Sequence, residues 1–344
     1  MLRRTLLLGL TLIACRTPAA AQPVVDGAAR GAAPHVPGDS PASHVPGDSP
    51  ARVRAAKVTV LSTMLADRGI GEWGFAALVE ADGRRILFDT GARADTVLKN
   101  AETLGVDLRT VTDVVLSHHH DDHVGGLMTL RGAVRAQAPE ALATVHVGAG
   151  IFEPRRIDGR EVNSMIGIRT AFEATGGRFV VHAEAGQIGP GIWVTGPVPR
   201  VHPERNWSGS RRVERDGQWV EDTLVEDQSL VLDTERGLVV LAGCGHAGIV
   251  NTVTHARAKI RAAPVHAAIG GFHLLDANDE LLAWTARELG AVGLAQFYGG
   301  HCTGLEAVYR FREALGLRRE DSLVAAVGGS YVLGEGIAPG ALAH

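Results

Sequence analysis

Cysteine is scarce in this sequence, with three residues among 344. Cys15 lies near the N-terminus, and Cys244 and Cys302 lie far from it and from each other. Three cysteines cannot build the framework of disulfides that holds small secreted domains together. The hydrophobic content of 45% and charged content of 21% instead predict an ordinary globular protein of one large domain or two smaller ones.

The sequence also has little net charge. Its formal charge of −4 at pH 7 provides no basic field for nucleic acid. We therefore expect no nucleic-acid partner and a small-molecule substrate. The sequence makes no prediction of the oligomeric state.

The N-terminus is typical of an export signal, for which we assign residues 1–21. Arg3 and Arg4 precede a short apolar core that is too short to span a membrane. Two processing sites compete: ordinary cleavage after residues 19–21, or a lipobox that would make Cys15 the lipidated first residue. We expect an exported protein in both cases, either periplasmic or anchored to the membrane as a lipoprotein.

Residues 22–54 are rich in Ala, Pro, Gly and Ser, and an octapeptide at 35–42 recurs at 44–51. Such a segment has too little apolar surface to offset the entropy of ordering it. We predict a disordered linker here and a single folded domain over 55–344.

The domain alternates strand and helix patterns, which predicts an α/β fold. Predicted strands are 57–65, 75–80, 84–88, 111–116, 143–147, 178–183, 191–195, 224–233, 238–241, 265–269 and 294–298; predicted helices are 94–104, 248–261, 279–289 and 305–315. Between 133 and 212 the pattern is weak and favours loops. We expect most arginines of this region to lie on the solvated surface: Arg155, Arg156, Arg200, Arg211 and Arg212.

Four residues of the types that bind metals follow the strand at 111–116, with the spacing His-x-His-x-Asp-His. Near a strand end, side chains two positions apart point the same way, so His118 and His120 can reach one cation. The next turn brings Asp122 and His123 to a second. Imidazole and carboxylate ligands suit zinc, and also iron or manganese. A histidine-rich surface loop is the alternative, which this spacing disfavours.

Further histidines follow later strands: His246, His273 and His301. Their repetition at equivalent strand ends indicates one common site, because active sites of α/β folds lie at these ends. Asp89 ends an earlier strand and can orient a ligating histidine. Cys302 follows His301 directly, so in an extended backbone its side chain would point away from the site.

These motifs resemble those of the metallo-β-lactamase superfamily. The resemblance covers 57–344 and rests on 88–91 and 118–123. The segments 227–228, 243–249, 270–274 and 300–304 resemble its branch named for 7,8-dihydropterin-6-yl-methyl-4-(β-D-ribofuranosyl)aminobenzene 5′-phosphate synthase.

The resemblance implies a four-layer αβ/βα sandwich with two divalent metal ions, zinc by preference, between its sheets. It implies two ligand sets, His118, His120 and His246 for one ion, and Asp122, His123 and His301 for the other. Asp227 and Cys244 are further candidates. The chain departs from the superfamily's commonest pattern, because it lacks the usual Gly-His-Thr loop before the second hairpin.

The mechanism that the resemblance implies is hydrolysis by a metal-bound hydroxide. Asp122 would orient the attacking water, and His273 would protonate the leaving group. A phosphoester or a cyclic ester is the expected substrate. The alternatives are β-lactam hydrolysis and an exported protein that binds a metal or a small molecule without catalysis.

Overall fold

The structure is a computed structural model that describes residues 51–157, 160–204, 212–215 and 218–341. The chain divides into two units, 1–47 and 48–344, and every described residue belongs to the second. The predicted export signal and most of the predicted linker lie outside the described residues, so the domain boundaries stay predictions. Within the predicted linker, Val53 is buried and bridges to Thr234.

The described strands are short and run through the whole domain. In chain order they are β1 (Ala56–Ser62), β2 (Leu65–Ala66), β3 (Ala76–Ala81), β4 (Arg84–Phe88), β5 (Asp113–Val115), β6 (Thr144–Gly148), β7 (Arg156–Ile157), β8 (Arg160–Glu161), β9 (Arg178–His182), β10 (Gly186–Gly189), β11 (Ile192–Val194), β12 (Arg212–Arg215), β13 (Gln218–Glu221), β14 (Ser229–Thr234), β15 (Gly237–Ala242), β16 (Val265–Gly270), β17 (Gln296–Gly299), β18 (Ser322–Val324), β19 (Ala326–Val327), β20 (Ser330–Val332) and β21 (Gly336–Ala338).

The described helices alternate with these strands. They are α1 (Thr96–Leu104), α2 (Asp121–Val124), α3 (Leu127–Val134), α4 (Met165–Glu173), α5 (Ile249–Lys259), α6 (Asp279–Ala291) and α7 (Leu305–Ala314), with 3-10 turns at Leu108–Thr110, His301–Thr303 and Arg319–Asp321. Over the described residues, no helix combines the length and apolar composition needed to cross a bilayer.

Two large sheets form the centre of the domain. The first has the strand order β21-β20-β1-β3-β4-β5-β6-β9, and the second has the order β10-β11-β14-β15-β16-β17-β18. One buried cluster joins their facing sides, with Val58 and Phe88 from the first sheet and Leu230 and Ile269 from the second. Each sheet therefore covers the inner face of the other.

Helices cover the outer faces. The first sheet packs against α1, α3 and α4, whose buried residues include Val97, Leu130 and Phe172. The second packs against α5, α6 and α7, for example through Val253 and Phe311. The layer order is helix, sheet, sheet, helix, which confirms the predicted four-layer αβ/βα sandwich.

Local sequence explains most element boundaries. Both arms of the hairpin β14–β15 are buried along their whole length, as expected of apolar, β-branched strands between two layers. Helix α1 ends because Gly105 adopts φ 70°, and its N–H bonds the carbonyls of Ala101 and Glu102. Helix α6 begins where the Asn278 side chain accepts the Leu281 N–H.

Three sequence expectations were incomplete. Helix α4 lies in the region predicted as loops, because its β-branched residues and Gly167 weaken the helical signal. The first arm of the second hairpin starts at Ser229 rather than Leu224, since residues 224–227 form a turn in which Leu224 has φ 47°. The C-terminal strands β18 to β21 were not predicted.

Glycines allow the strand ends to approach closely. A Cβ on Gly243 would collide with the side chains of Ser117 and Asp89, which come from the other sheet. A Cβ on Gly125 would collide with the carbonyl of Ala92, and Gly125 itself has φ −60°. These glycines provide space for packing rather than unusual backbone angles.

Candidate metal centre

The site lies where the carboxyl ends of parallel strands from both sheets meet. Strands β4, β5 and β6 are parallel in the first sheet, and β15, β16 and β17 are parallel in the second. The segments that follow these strands carry the predicted site residues, which are Asp89, His118, His120, Asp122, His123, Cys244, His246, His273, His301 and Cys302. This placement matches the usual position of a site in an α/β fold.

The first predicted ligand set is assembled in the structure. One ligand atom from each of His118, His120 and His246 lies within 4.8 Å of the other two. The ring centroids of His118 lie 4.6 Å from His120 and 4.7 Å from His246. Three imidazoles at this spacing can bind one cation.

The second predicted set lies beside the first. Asp122, His123 and His301 also place one ligand atom each within 4.8 Å of one another. His301 Nε2 is 3.3 Å from Asp122 Oδ2, and the rings of His123 and His301 are 5.0 Å apart. The two sets together can hold a pair of divalent cations.

Asp89 fixes the orientation of the cluster. Its buried carboxylate accepts the N–H of Ser117 at 2.7 Å and lies 2.8 Å from His123 Nδ1. Ser117 Oγ donates to Asp89 and lies 2.9 Å from His118 Nδ1. The Nδ1 atoms of both histidines are therefore engaged, and Asp89 stands where a residue that orients a ligating histidine is expected. That His123 binds a metal stays a prediction.

The donor set fits a metal. His118 Nε2 is buried, and no hydrogen-bond partner for it exists among the described residues. An imidazole nitrogen that is buried without a hydrogen-bond partner destabilises the folded protein, and a bound cation would remove that cost. Neutral imidazoles and carboxylates are the donors that zinc, iron and manganese bind.

The electrostatics of the cluster depend on burial and on the two aspartates. Burial and the neighbouring His123 lower the pKa of His118 well below its usual value. Burial acts in the same direction on His123, but the charges of Asp122 and Asp89 raise its pKa to about 9. A cation that binds His123 must therefore displace a proton.

Asp122 is ionised in this setting. Burial opposes its charge, but the charge of His123 and the hydrogen bond from His301 lower its pKa below the usual value. Its side chain is 23% exposed and lines the cleft described below. It can therefore contact both a cation and a bound water.

His273 and Asp227 occupy different positions. His273 lines the cleft with its ring 4.7 Å from that of His246. Burial and the nearby His301 lower its pKa to about 4, so the ring is neutral at pH 7 and its predicted role as proton donor stays a prediction. Asp227 Oδ2 accepts the Ala247 N–H at 2.9 Å, which holds the turn that contains His246.

Both later cysteines lie beside the ligand sets; Cys244 is the candidate ligand named from the sequence, whereas Cys302 was expected to point away. Cys244 Sγ lies 3.1 Å from His123 Nε2 and 3.3 Å from Cys302 Sγ, and both cysteines are free and buried. The expectation that Cys302 points away is wrong. The backbone is not extended there, because His301 has φ 47° and begins a 3-10 turn that directs Cys302 toward Cys244.

A buried ionic network behind the ligands was missed. Glu226 lies 2.7 Å from His119 Nδ1 and accepts a hydrogen bond from Arg155 at 2.7 Å, while Arg155 also donates to Asp222 at 2.6 Å. Arg155 is fully buried, so the expectation of a solvated arginine is wrong for this residue. Arg155 lies 67 and 71 positions from its two acidic partners, and no local pattern links it to them.

A cleft of about 430 Å³ opens onto the second set. Trp73 and Leu275 provide its apolar wall, and the Trp73 ring lies 4.9 Å from that of His301. The described residues that line it are Trp73, His120, Asp121, Asp122, His273, Leu275, Asp276, His301 and Cys302. A small molecule in this cleft would therefore contact Asp122 and His301 directly.

Comparison with known proteins agrees with this geometry. A family model described as the metallo-beta-lactamase superfamily matches residues 74–160. A protein of Methanocaldococcus jannaschii named 7,8-dihydropterin-6-methyl-4-(beta-D-ribofuranosyl)-aminobenzene-5′-phosphate synthase is 31% identical over 245 residues, which cover 70% of this chain and 83% of that protein.

Solved structures show the same fold. The crystal structure of Tm1679, described as a metal-dependent hydrolase of the beta-lactamase superfamily, has a TM-score of 0.64 and 27% identity, and the match covers 80% of this chain and 98% of that one. The metallo-beta-lactamase fold protein YhfI from Bacillus subtilis has a TM-score of 0.52 and 13% identity, and the match covers 81% of this chain and 99% of that one. The chain belongs to the metallo-β-lactamase superfamily.

Proposed function

We propose that the protein is an exported hydrolase that uses two divalent cations, zinc by preference, to cleave a cyclic ester. The observation that carries this proposal is that the two ligand sets lie side by side and that one cleft reaches both, through His120 of the first set and Asp122 and His301 of the second. A pair of cations bound there would lower the pKa of a water toward neutrality and polarise the substrate's carbonyl or phosphoryl oxygen. The superfamily and its metal-dependent hydrolases support this reaction class.

The chain's own residues have separable tasks. His118, His120 and His246 would hold one cation, and Asp122, His123 and His301 would hold the other. The ionised Asp122 accepts a hydrogen bond from the attacking water and thereby orients it. His273, neutral at pH 7, donates an N–H to the oxygen of the substrate that gains charge.

The cleft favours an uncharged substrate with an apolar part. Among the described residues that line it there is no lysine or arginine, whereas Asp121, Asp122 and Asp276 bring negative charge. Phosphate recognition generally uses arginine or lysine. Trp73 and Leu275 offer an apolar wall, so a lactone ring with an apolar substituent fits better than a phosphoester.

A phosphoester is the second candidate. The 31% identical relative is named as a synthase of a 5′-phosphate compound, and a pair of cations could itself bind the phosphoryl oxygens. β-Lactam hydrolysis and binding without catalysis are further alternatives, which the same experiment separates.

The test is a substrate panel. The purified protein would be assayed on lactones, phosphodiesters, thioesters and β-lactams as isolated, after chelation, and after zinc is restored. Lactone turnover that is lost with the chelator and regained with zinc supports the proposal. Metal content without turnover on any substrate contradicts it and favours the binding protein.

Asp122 provides the sharpest variant. We expect Asp122→Ala to lower kcat/KM by on the order of 10³-fold, because the attacking water loses its hydrogen-bond acceptor and one cation loses a ligand. Asp276→Ala is the matched control, since this exposed carboxylate lines the same cleft outside the two ligand sets. Full activity in Asp122→Ala would remove the assignment.

Export is proposed from the N-terminal sequence alone. We infer a periplasmic protein, or a lipoprotein anchored through Cys15, whose substrate is an extracellular or periplasmic compound. Mass spectrometry of the protein from the membrane and soluble fractions would distinguish a chain that begins at Gln22 from one that begins at a lipidated Cys15.

A further inference from the structure

We propose that Cys244 and Cys302 are a modification site: they form a disulfide when the metal-free protein meets a low-molecular-weight disulfide, and this bond closes the second cation position. The cross-link itself does not depend on the proposed function. Its effect on the metal rests on the metal-binding part of that function.

The two sulfurs are already near bonding distance. Cys244 Sγ lies 3.3 Å from Cys302 Sγ, although the residues are 58 positions apart in the chain. A disulfide bond is about 2.0 Å long, so the sulfurs need to approach each other by only about 1.3 Å. Cys244 follows β15 and Cys302 lies in the 3-10 turn after β17. The fold therefore brings together two thiols that would rarely meet in an unfolded chain.

The neighbouring backbone fixes the position of the pair. The N–H of His273 donates to Cys302 Sγ at 3.2 Å, and the left-handed φ of His301, 47°, starts the turn that carries Cys302. A Cβ on Gly271 would lie 2.9 Å from Cys302 Sγ, so glycine leaves the room that this sulfur occupies. Because the sulfurs are held face to face, a bond between them is favoured over a bond to an external thiol.

The cleft gives an oxidant access to one of the two cysteines. Cys302 lines the cleft, whereas Cys244 is not among the described residues that line it. Asp121, Asp122 and Asp276 bring negative charge to the same walls, which favours a small cationic disulfide such as cystamine. Cys302 should therefore react first.

The reaction consists of two thiol–disulfide exchanges. The Cys302 sulfur attacks one sulfur of the small disulfide, which breaks its S–S bond, releases one thiol together with the proton and leaves a mixed disulfide on Cys302. The Cys244 sulfur then attacks Cys302 Sγ, and the second small thiol leaves with the second proton. Two protein thiols are thus oxidised to one disulfide, and one small disulfide is reduced to two thiols.

The disulfide and the second cation compete for one region. Cys244 Sγ lies 3.1 Å from His123 Nε2, and ligand atoms of Cys244, Cys302 and His301 lie within 4.8 Å of one another. A cation held by His123 and His301 hinders the movement that joins the sulfurs, and the cross-link in turn hinders the cation. Zinc should therefore protect the thiols, and oxidation should expel one cation. The proposed compartment is an oxidising one, where such a bond can form and persist.

Mass spectrometry of the full-length Cys15→Ser protein tests the cross-link, because Cys244 and Cys302 are then its only cysteines. The protein would be stripped by a chelator, treated with cystamine under native conditions, quenched with acid and digested without reductant. We expect the intact mass to fall by two hydrogens, with no cysteamine attached, and the two cysteine peptides to be joined. Thiols that stay free, or cysteines that keep a cysteamine, overturn the proposal, whether or not further variants fold.

Single variants in the same background test the order of the exchanges. Cys244→Ser should stop at the mixed disulfide and retain one cysteamine on Cys302. Cys302→Ser should leave Cys244 unmodified, because the described cleft does not reach it. The reverse pattern would overturn the assigned order.

Zinc content connects the cross-link to the metal. The zinc-loaded protein should form the disulfide at least about 10-fold more slowly than the metal-free protein, and the oxidised protein should bind about one zinc fewer until a reductant is added. Equal rates or an unchanged zinc content overturn the competition. If the reduced protein binds no zinc, the metal-binding part of the proposed function and this competition fail together, while the mass measurement still decides the disulfide.

Discussion

Asp89 shows how one residue organises several others. Its carboxylate joins the end of β4 to Ser117 after β5 and to the ring of His123. Because all of these groups are buried, the carboxylate replaces water as their hydrogen-bond partner. The positions of the first ligands thus depend on a residue that precedes them by almost thirty positions.

The change Asp89→Asn should weaken metal binding. Asparagine has one carbonyl oxygen, so its amide group must replace either the oxygen that accepts the Ser117 N–H or the oxygen that meets both the Ser117 hydroxyl and the His123 ring. We expect zinc affinity to fall by about 10- to 100-fold, as measured by competition with a chromophoric chelator. Asp113→Asn, which affects a carboxylate paired with His146 instead, should retain wild-type affinity; equal affinity in both variants would contradict this role.

At the residue scale, sequence reasoning worked where ligands are neighbours in the chain. The spacing of His118, His120 and His123 after a strand is enough to place them together. It did not work for Cys302, because the direction of that side chain depends on the left-handed φ of His301. Such an angle has no signature in sequence, since residues other than glycine rarely adopt it.

At the element scale, two loops are tied to the ligand segment by charge. Arg155 follows β6, and Asp222 and Glu226 precede β14. Arg155 bonds both carboxylates, and Glu226 also contacts His119, which lies between two ligands. The network therefore connects the loops after β6 and before β14 to the metal-binding segment.

Loss of one charge in this network should be costly. We expect Glu226→Gln to lower the free energy of unfolding by about 3 kcal/mol, because the fully buried Arg155 would lose one of its two counter-charges. Urea denaturation would measure the change. Glu306→Gln, which disrupts an exposed pair with Arg310 on α7, should change stability by less than about 0.5 kcal/mol; similar losses in both would refute the network's importance.

Strands and helices were predictable where burial gives the sequence a strong hydrophobic pattern. The hairpin β3–β4 and helices α5, α6 and α7 lie close to their predicted ranges, since each has an apolar face fixed by one layer of the sandwich. Helix α4 buries only Met165 and Phe172 of its nine residues. With so little periodic signal, its sequence could not be distinguished from a loop.

At the scale of the whole molecule, one carboxylate should make stability depend on pH. Glu204 accepts the N–H groups of Val250 and Asn251 at the start of α5, and burial raises its pKa to about 7. The pKa of Glu204 in the folded protein exceeds its ordinary value of 4.5, so the stabilisation is complete below about pH 4.5. It is lost as pH rises from about 4.5 to about 7.

The variant Glu204→Gln isolates this effect. Glutamine stays neutral, so the decline in unfolding free energy between pH 5 and pH 8 should be smaller than in the wild type by on the order of 1–3 kcal/mol. Denaturant titrations of the metal-free protein at a series of pH values would show it. Glu235→Gln, in the exposed turn between β14 and β15, should retain the wild-type decline, and an unchanged decline in Glu204→Gln would contradict the assignment.

The site draws on two sheets whose residues are far apart in the chain, as His123 and Cys244 are separated by 121 positions. Neither half can assemble it alone, so cations should bind only after the sheets have docked. We therefore expect zinc to slow unfolding strongly and to leave the refolding rate almost unchanged, as stopped-flow measurements with zinc and with chelator would show. Equal unfolding rates would contradict this. The lifetime of the folded protein would then follow the supply of metal in its compartment.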